Sequence, residues 1–203
     1  MNSRTEDFKI GTFHGKLNPE NSCSEAKLRN DLYLIGSLIL KINENDIKTI
    51  RLIGYEIPLK SGASRVNCID LLGYDQNHTP YIIELKKSSS NESLLEIIDQ
   101  INEYEILFKD VKSYIEKEFK TKYHWKNFSF SSDLIKIILV HRDFFGEEEN
   151  KQLKKIKKNN KIYICSFGRV KNISITDKDG KGRITLLGQC GSKGYVNLRI
   201  HNK

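Results

Sequence analysis

Cysteine is sparse in this sequence: four residues, at 23, 68, 165 and 190, none of them in a C-x-x-C pair. That spacing argues against a zinc ribbon or a disulfide frame. It fits reduced, mostly buried thiols and so an expected cytoplasmic location. Long apolar runs are also missing. No stretch approaches the ~18 apolar residues of a membrane span, and Met1 to Leu17 lacks the apolar core of a secretory leader, so no membrane partner is expected. The five histidines show no H-x-x-H spacing, which makes a zinc protease unexpected. Without a G-x-x-x-x-G-K-[ST] loop, ATP binding and motor activity are not expected. No G-x-S-x-G marks a serine hydrolase, and there is no internal repeat.

What is present is an ordinary globular composition, with 38% hydrophobic and 30% charged residues, long enough for one core and a small appendage. Lys and Arg number 34 against 26 Asp and Glu, a net charge of +8. Such an excess suits a polyanionic partner, because contacts to phosphates release condensed counterions.

Residues 1–21 are polar and irregular and form an N-terminal extension. From Ser24 to about Ile42, Leu28, Leu32, Ile35, Ile39 and Ile42 recur at helical spacing behind a Ser22–Glu25 capping box. Three strand candidates follow: Thr49–Leu59, Arg65–Tyr74 and Pro80–Lys86. A long helix opens at Ser89-Ser90-Asn91-Glu92 and carries Leu94, Ile97, Ile101, Tyr104, Phe108, Val111 and Ile115 on one stripe. A strand (Leu134–Val140), a lysine-rich helix (Glu147 to about Lys158) and another strand (Lys161–Phe167) complete a core spanning 22–168. Residues 169–203 form a β-rich extension whose strand signals suggest a small meander. The order reads as an α/β sandwich with a mixed central sheet.

The chemistry concentrates between Asp70 and Lys86. If the second and third strands form a hairpin centred on Asn77, Asp70 and Glu84 lie equally far from the centre and oppose each other, Cβ atoms ~5 Å apart. Lys86, two residues beyond Glu84, faces the same way ~7 Å further along. Two carboxylates this close repel, and a cation between them relieves the repulsion. Hard oxygen donors with room for water favour Mg²⁺, or Mn²⁺ in its place, over zinc. The bland reading is an exposed charge ladder on a sheet edge. Against it, both acids emerge from apolar segments, Ile69-Asp70-Leu71-Leu72 and Ile82-Ile83-Glu84-Leu85, where charge is costly without a partner.

The I-D-L-L around Asp70, the I-I-E-L-K ending at Lys86 and the Q-x-x-x-Y of Gln100–Tyr104 resemble the PD-(D/E)XK nuclease superfamily. The resemblance covers about two-thirds of the chain and is nearest to the small single-domain mismatch and branched-DNA endonucleases. Ile69 stands where the nominal motif has proline. The resemblance implies a restriction-endonuclease-like αβββαβ fold and a phosphodiesterase acting on DNA. It also implies Mg²⁺ held by Asp70, Glu84 and the Leu85 carbonyl, with Lys86 catalytic. An acid from the first helix often joins such sites, and Glu25 is the candidate, with Asp31 as fallback. Glu25 is equally the last residue of the capping box.

Gln100 shares a helix face with Ile97, Ile101 and Tyr104 and needs a hydrogen-bond partner there. Either it caps a loop, or it contacts the attacking water, Lys86 or a phosphate. Candidate nucleic-acid contacts are Lys87, Tyr104, Lys154 and Lys155 on the lysine-rich helix, and Arg183 in the tail. The lysine helix reads equally as a solvated face. Two rival functions remain: a non-catalytic DNA-binding or assembly module with a nuclease fold, and an RNA-directed nuclease. Double-strand cleavage would favour a homodimer, since one site nicks one strand.

Overall fold

The computed structural model describes residues 25–60, 67–87, 91–122, 124–141, 144–156, 162–167, 190–191 and 195–201. The elements run α1 (Glu25–Ile35), β1 (Ser37–Lys41), β2 (Ile47–Pro58), β3 (Cys68–Tyr74), β4 (Pro80–Lys86), α2 (Leu94–Lys122), β5 (Ile135–His141), α3 (Glu147–Lys155), β6 (Ile162–Phe167), β7 (Cys190–Gly191) and β8 (Tyr195–Ile200). The fold is α/β with a mixed sheet. The first four strands are antiparallel neighbours, whereas β4, β5 and β6 run parallel.

The sheet is not the open layer of a sandwich. One edge of β8 pairs in parallel with β1, at Leu38–Leu40, and Arg199 and Ile200 pair antiparallel with β6, so β1 to β6 and β8 close into a ring. The C-terminal extension, residues 169–203, is described only at β7, β8 and His201. Its last strand is part of the main sheet, with β7 appended to β8; the earlier strand signals of the tail lie outside the described residues.

A second correction concerns the first helix, which ends at Ile35 rather than continuing to Ile42. Gly36 adopts φ +82°, a left-handed conformation that closes helices, and its N–H bonds back to Leu32 O at 3.2 Å. Beyond it Leu38 and Leu40 are buried on alternate positions, a strand period.

One apolar cluster draws on every strand of the ring: Leu38, Ile50, Leu71, Ile83, Leu139, Cys165 and Leu198 are examples. Side chains from all seven strands meet only inside a closed sheet, so this cluster fills the interior. Leu32 of α1 joins it, and α1 packs against β2, β3, β4 and β8 across one mouth of the ring. The outer face of β2 to β6 carries the second cluster, covered by α2 through Ile97, Ile101, Phe108 and Phe119. Lys136 of β5, buried, anchors α2 by bonding Asn102 at 2.9 Å and Glu105. No helix among the described residues is long and apolar enough to cross a membrane.

Candidate active site

The hairpin register is the one the sequence predicts. Tyr74 pairs with Pro80, Gly73 with Tyr81, Leu72 with Ile82 and Leu71 with Ile83, all symmetric about Asn77. Asp75 pins the turn: its Oδ1 accepts the N–H groups of Asn77 and Thr79 at 2.9 and 3.0 Å, and its Oδ2 the hydroxyl of Tyr81 at 3.1 Å. The paired ladder ends at Leu71–Ile83, one step short of Asp70 and Glu84. There β3 stays on β2, and the Asp70 carboxylate takes the Leu85 N–H at 2.9 Å. Asp70 and Glu84 therefore flank the point where two central strands part.

Lys86 Nζ lies 3.0 Å from Glu84 Oε1 and 2.5 Å from Glu92 Oε2, with Lys86 and Glu84 both buried. The other oxygen of Glu84, Oε2, is buried with no hydrogen-bond partner among the described residues. Burial, and next the charge of Asp70, push the Glu84 carboxyl up to about 8. Burial also raises Asp70, against the Leu85 N–H and the Arg29 guanidinium, which hold it down. Burial alone would lower the Lys86 ammonium. The carboxylates of Glu84 and Glu92 outweigh it, and Lys86 stays protonated above its ordinary range.

Glu25, the first residue of α1, reaches the same cluster. It accepts the Lys87 N–H and feels the charges of Lys86, Asp70 and Glu92, while burial raises its carboxyl. Ser22, its proposed capping partner, lies outside the described residues. Gln100 donates from Nε2 to Tyr104 Oη at 2.7 Å, and Tyr104 is raised by burial and by the nearby Glu84 charge. Gln100 thus reaches the cluster through Tyr104. Tyr104 is itself buried, so a role on an outer nucleic-acid surface does not suit it. Lys87 is exposed beside the site, and Lys154 is exposed on α3. The Lys155 side chain and Arg183 lie outside the described residues.

Two participants went unseen in the sequence. Arg29, one helical turn after Glu25, donates from Nη1 to Asp70 at 3.1 Å and from Nη2 to Glu56 at 2.7 Å. The i,i+4 spacing from Glu25 was the available signal. Glu92, which the Ser89–Glu92 spacing would place in a capping box at the helix start, bonds Lys86 instead. The observed cap is Ser93, whose N–H and hydroxyl bond Glu96 at 2.7 and 2.9 Å while its Oγ accepts the Glu96 N–H.

Among the described residues, no three His, Cys, Asp or Glu side chains are grouped so as to hold a metal ion by themselves. The donor set nevertheless fits a hard divalent cation that keeps most of its waters. Two adjacent carboxylates, one with an unbonded buried oxygen, are the ligands such an ion takes from protein. Compared with known families, curated proteins and solved structures, the chain matches none.

Proposed function

We propose that this chain is a metal-dependent nuclease that hydrolyses phosphodiester bonds of DNA. The observation that carries the reading is the buried Glu84–Lys86 pair beside Asp70 at the parting of β3 and β4. An unbonded carboxylate oxygen inside a protein is costly, and a site that binds a cation gives it a purpose. Asp70 and Glu84, with the Leu85 carbonyl, would hold Mg²⁺ or Mn²⁺, with Glu25 at the rim. The bound ion supplies Lewis-acid polarisation of the phosphoryl oxygen and a more acidic water.

The chain's own residues have separate tasks. Lys86 stays protonated, so it orients water or neutralises charge developing on the phosphoryl group and does not serve as a base. Glu92 and Glu84 fix its ammonium from two sides. Gln100 and Tyr104 form a polar pair that borders the carboxylates. The finer reading of the fold as restriction-endonuclease-like rests on the succession α1, β2, β3, β4, α2, β5. The inserted β1 and the closed sheet depart from that pattern.

The test is cleavage by wild type and Lys86→Ala on plasmid, linear duplex, single-stranded, branched and mismatched DNA and on RNA, each with Mg²⁺, Mn²⁺ or EDTA. Metal-dependent cutting that the variant loses supports the reading, and the preferred substrate separates DNA from RNA. No cutting by folded wild type that still binds DNA would replace it with the binding-module reading.

A further inference from the structure

At the turn end of the same hairpin lies a groove of about 380 Å³ that the proposed chemistry does not use. Its wall is aromatic. Tyr74 makes edge-on contacts with His78, Trp125 and Phe128 at ring-centroid distances of 5.7, 6.3 and 5.3 Å. Trp125 is backed by Phe119 in a parallel stack at 5.2 Å, and Phe128 is buried. His78 is fixed from behind, its Nδ1 bonded to the Ser129 carbonyl at 3.0 Å, which makes Nδ1 the donor. These contacts hold the rings as a rigid surface. Two exposed cations, Arg51 and Lys126, and the Asn127 amide complete the lining, and among the described residues no carboxylate lines the groove. Arg51 is directly opposite Tyr74 across the β2–β3 pair.

Ring faces flanked by cations select their ligand by elimination. A cationic group would suit the rings but is repelled by Arg51 and Lys126. A purely apolar segment leaves both cations idle. A planar base that carries a phosphate satisfies both features, because every base has a face to stack and every phosphate a charge to pair. Tyr74 lies on the same strand as Asp70, four residues on and about 13 Å away, and strand alternation gives both the same face. The groove lies on the surface of a chain of net charge +8.

We infer that this groove is a subsite for an unpaired nucleotide of a single strand, with the base on the Tyr74–Trp125 wall and the phosphates on Arg51 and Lys126. Paired bases within a duplex have no free face to offer it. The inference deepens the nuclease reading by giving its substrate a single-stranded or frayed segment, but it is tested by binding alone.

Trp125 is the only tryptophan in the chain, so intrinsic fluorescence reports on the groove directly. The full chain is titrated in EDTA with an oligothymidylate of about 12 nucleotides, within the usual site size for single strands. Parallel titrations use the same-length duplex, an abasic oligomer and thymidine monophosphate. We expect saturable quenching by the single strand, at least about tenfold tighter than by the other three, and weakening as salt rises. The exposed double variant Arg51→Glu, Lys126→Glu should melt as wild type and need about tenfold more strand.

The inference is overturned if the strand leaves Trp125 fluorescence unchanged, or if duplex binds as tightly. Equal quenching by the mononucleotide would make this a free-nucleotide site, and an unshifted double variant would remove the cations' role; either also overturns it. Quenching without cleavage on any metal leaves this subsite standing and removes the nuclease reading. Cleavage without quenching does the reverse.

Discussion

Asp70 accepts the backbone N–H of Leu85 at 2.9 Å, so a side chain takes a bond that an antiparallel ladder would give to a main-chain carbonyl. That substitution lets β3 and β4 part without leaving the Leu85 donor unpaired in a buried place. It also ties Asp70 to the residue between Glu84 and Lys86. The site's geometry therefore depends on the hairpin register, which is set at the Asp75 turn, five residues beyond Asp70 and nine before Glu84.

Gly73 tests that dependence. A Cβ there would lie 2.6 Å from Ile50 Cγ2 and 2.9 Å from the Arg51 carbonyl, and backbone cannot retreat as a flexible side chain can. The β2–β3 register shifts beside it, between Leu52 and Gly54. Gly73→Ala should lose about 1–3 kcal/mol in urea unfolding, the usual cost of overpacking. Wild-type stability would mean that β2 yields easily and that the close approach does not hold the register.

Above pH 8, where Glu84 is ionised, Lys86→Met should cost more, about 3–5 kcal/mol, because it leaves that carboxylate buried beside Asp70 without its cation. Adding Glu84→Gln should recover part of that loss by removing the stranded charge. Chemical denaturation of both single variants and the double variant gives the coupling. Strict additivity would show that the pair does not interact as the 3.0 Å contact implies.

The hairpin and its three charged residues were legible because they rest on local rules: strand alternation, and turn formers at Asp75–Thr79. Other features left ambiguous marks or none. Leu38, Ile39 and Leu40 are consecutive apolar residues, which fit a helical stripe as well as a strand, and Gly36 was the sole punctuation between them. Ser89 to Glu92 and Ser93 to Glu96 have identical capping-box spacing, so the wrong pair took the helix start and concealed Glu92's bond to Lys86. Ring closure joins β1 to β8, from opposite ends of the described chain, and distant pairing leaves no periodicity in either segment. Arg29 escaped for the same reason, since its partners Glu56 and Asp70 are on other elements.

The raised Glu84 carboxyl sets a pH dependence. With a folded value of about 8 against an ordinary 4.5, the folded chain holds a proton that the unfolded chain has lost between those limits. Stability in EDTA should therefore fall as pH rises from about 4.5 to 8, at no more than about 1.4 kcal/mol per pH unit from this group. Glu84→Gln should flatten that part of the profile. A divalent cation held by Glu84 would compete with the proton, so its stabilising effect should grow across the same window. Thermal melts across this pH range, in EDTA and at fixed Mn²⁺, check the two in turn, and a wild-type profile in EDTA matching that of Glu84→Gln would place the Glu84 titration elsewhere.

Arg29 offers the sharpest separation between an ion pair that merely holds the fold and one that borders a cation site. Its guanidinium is mostly buried and neutralises Asp70 and Glu56 together. Arg29→Met keeps the apolar stem and removes the charge, which should cost on the order of 2 kcal/mol. Asp70 and Glu84 then face each other with Lys86 as the nearest remaining cation, and their combined negative potential rises. A divalent cation binding these carboxylates should restore much of the lost stability, so Mn²⁺ should raise the Tm of Arg29→Met more than that of wild type. Equal shifts in the two proteins would mean that the ion binds away from Asp70. A shift in neither would remove the cation site from this part of the fold and leave Arg29 a structural link between α1, β2 and β3.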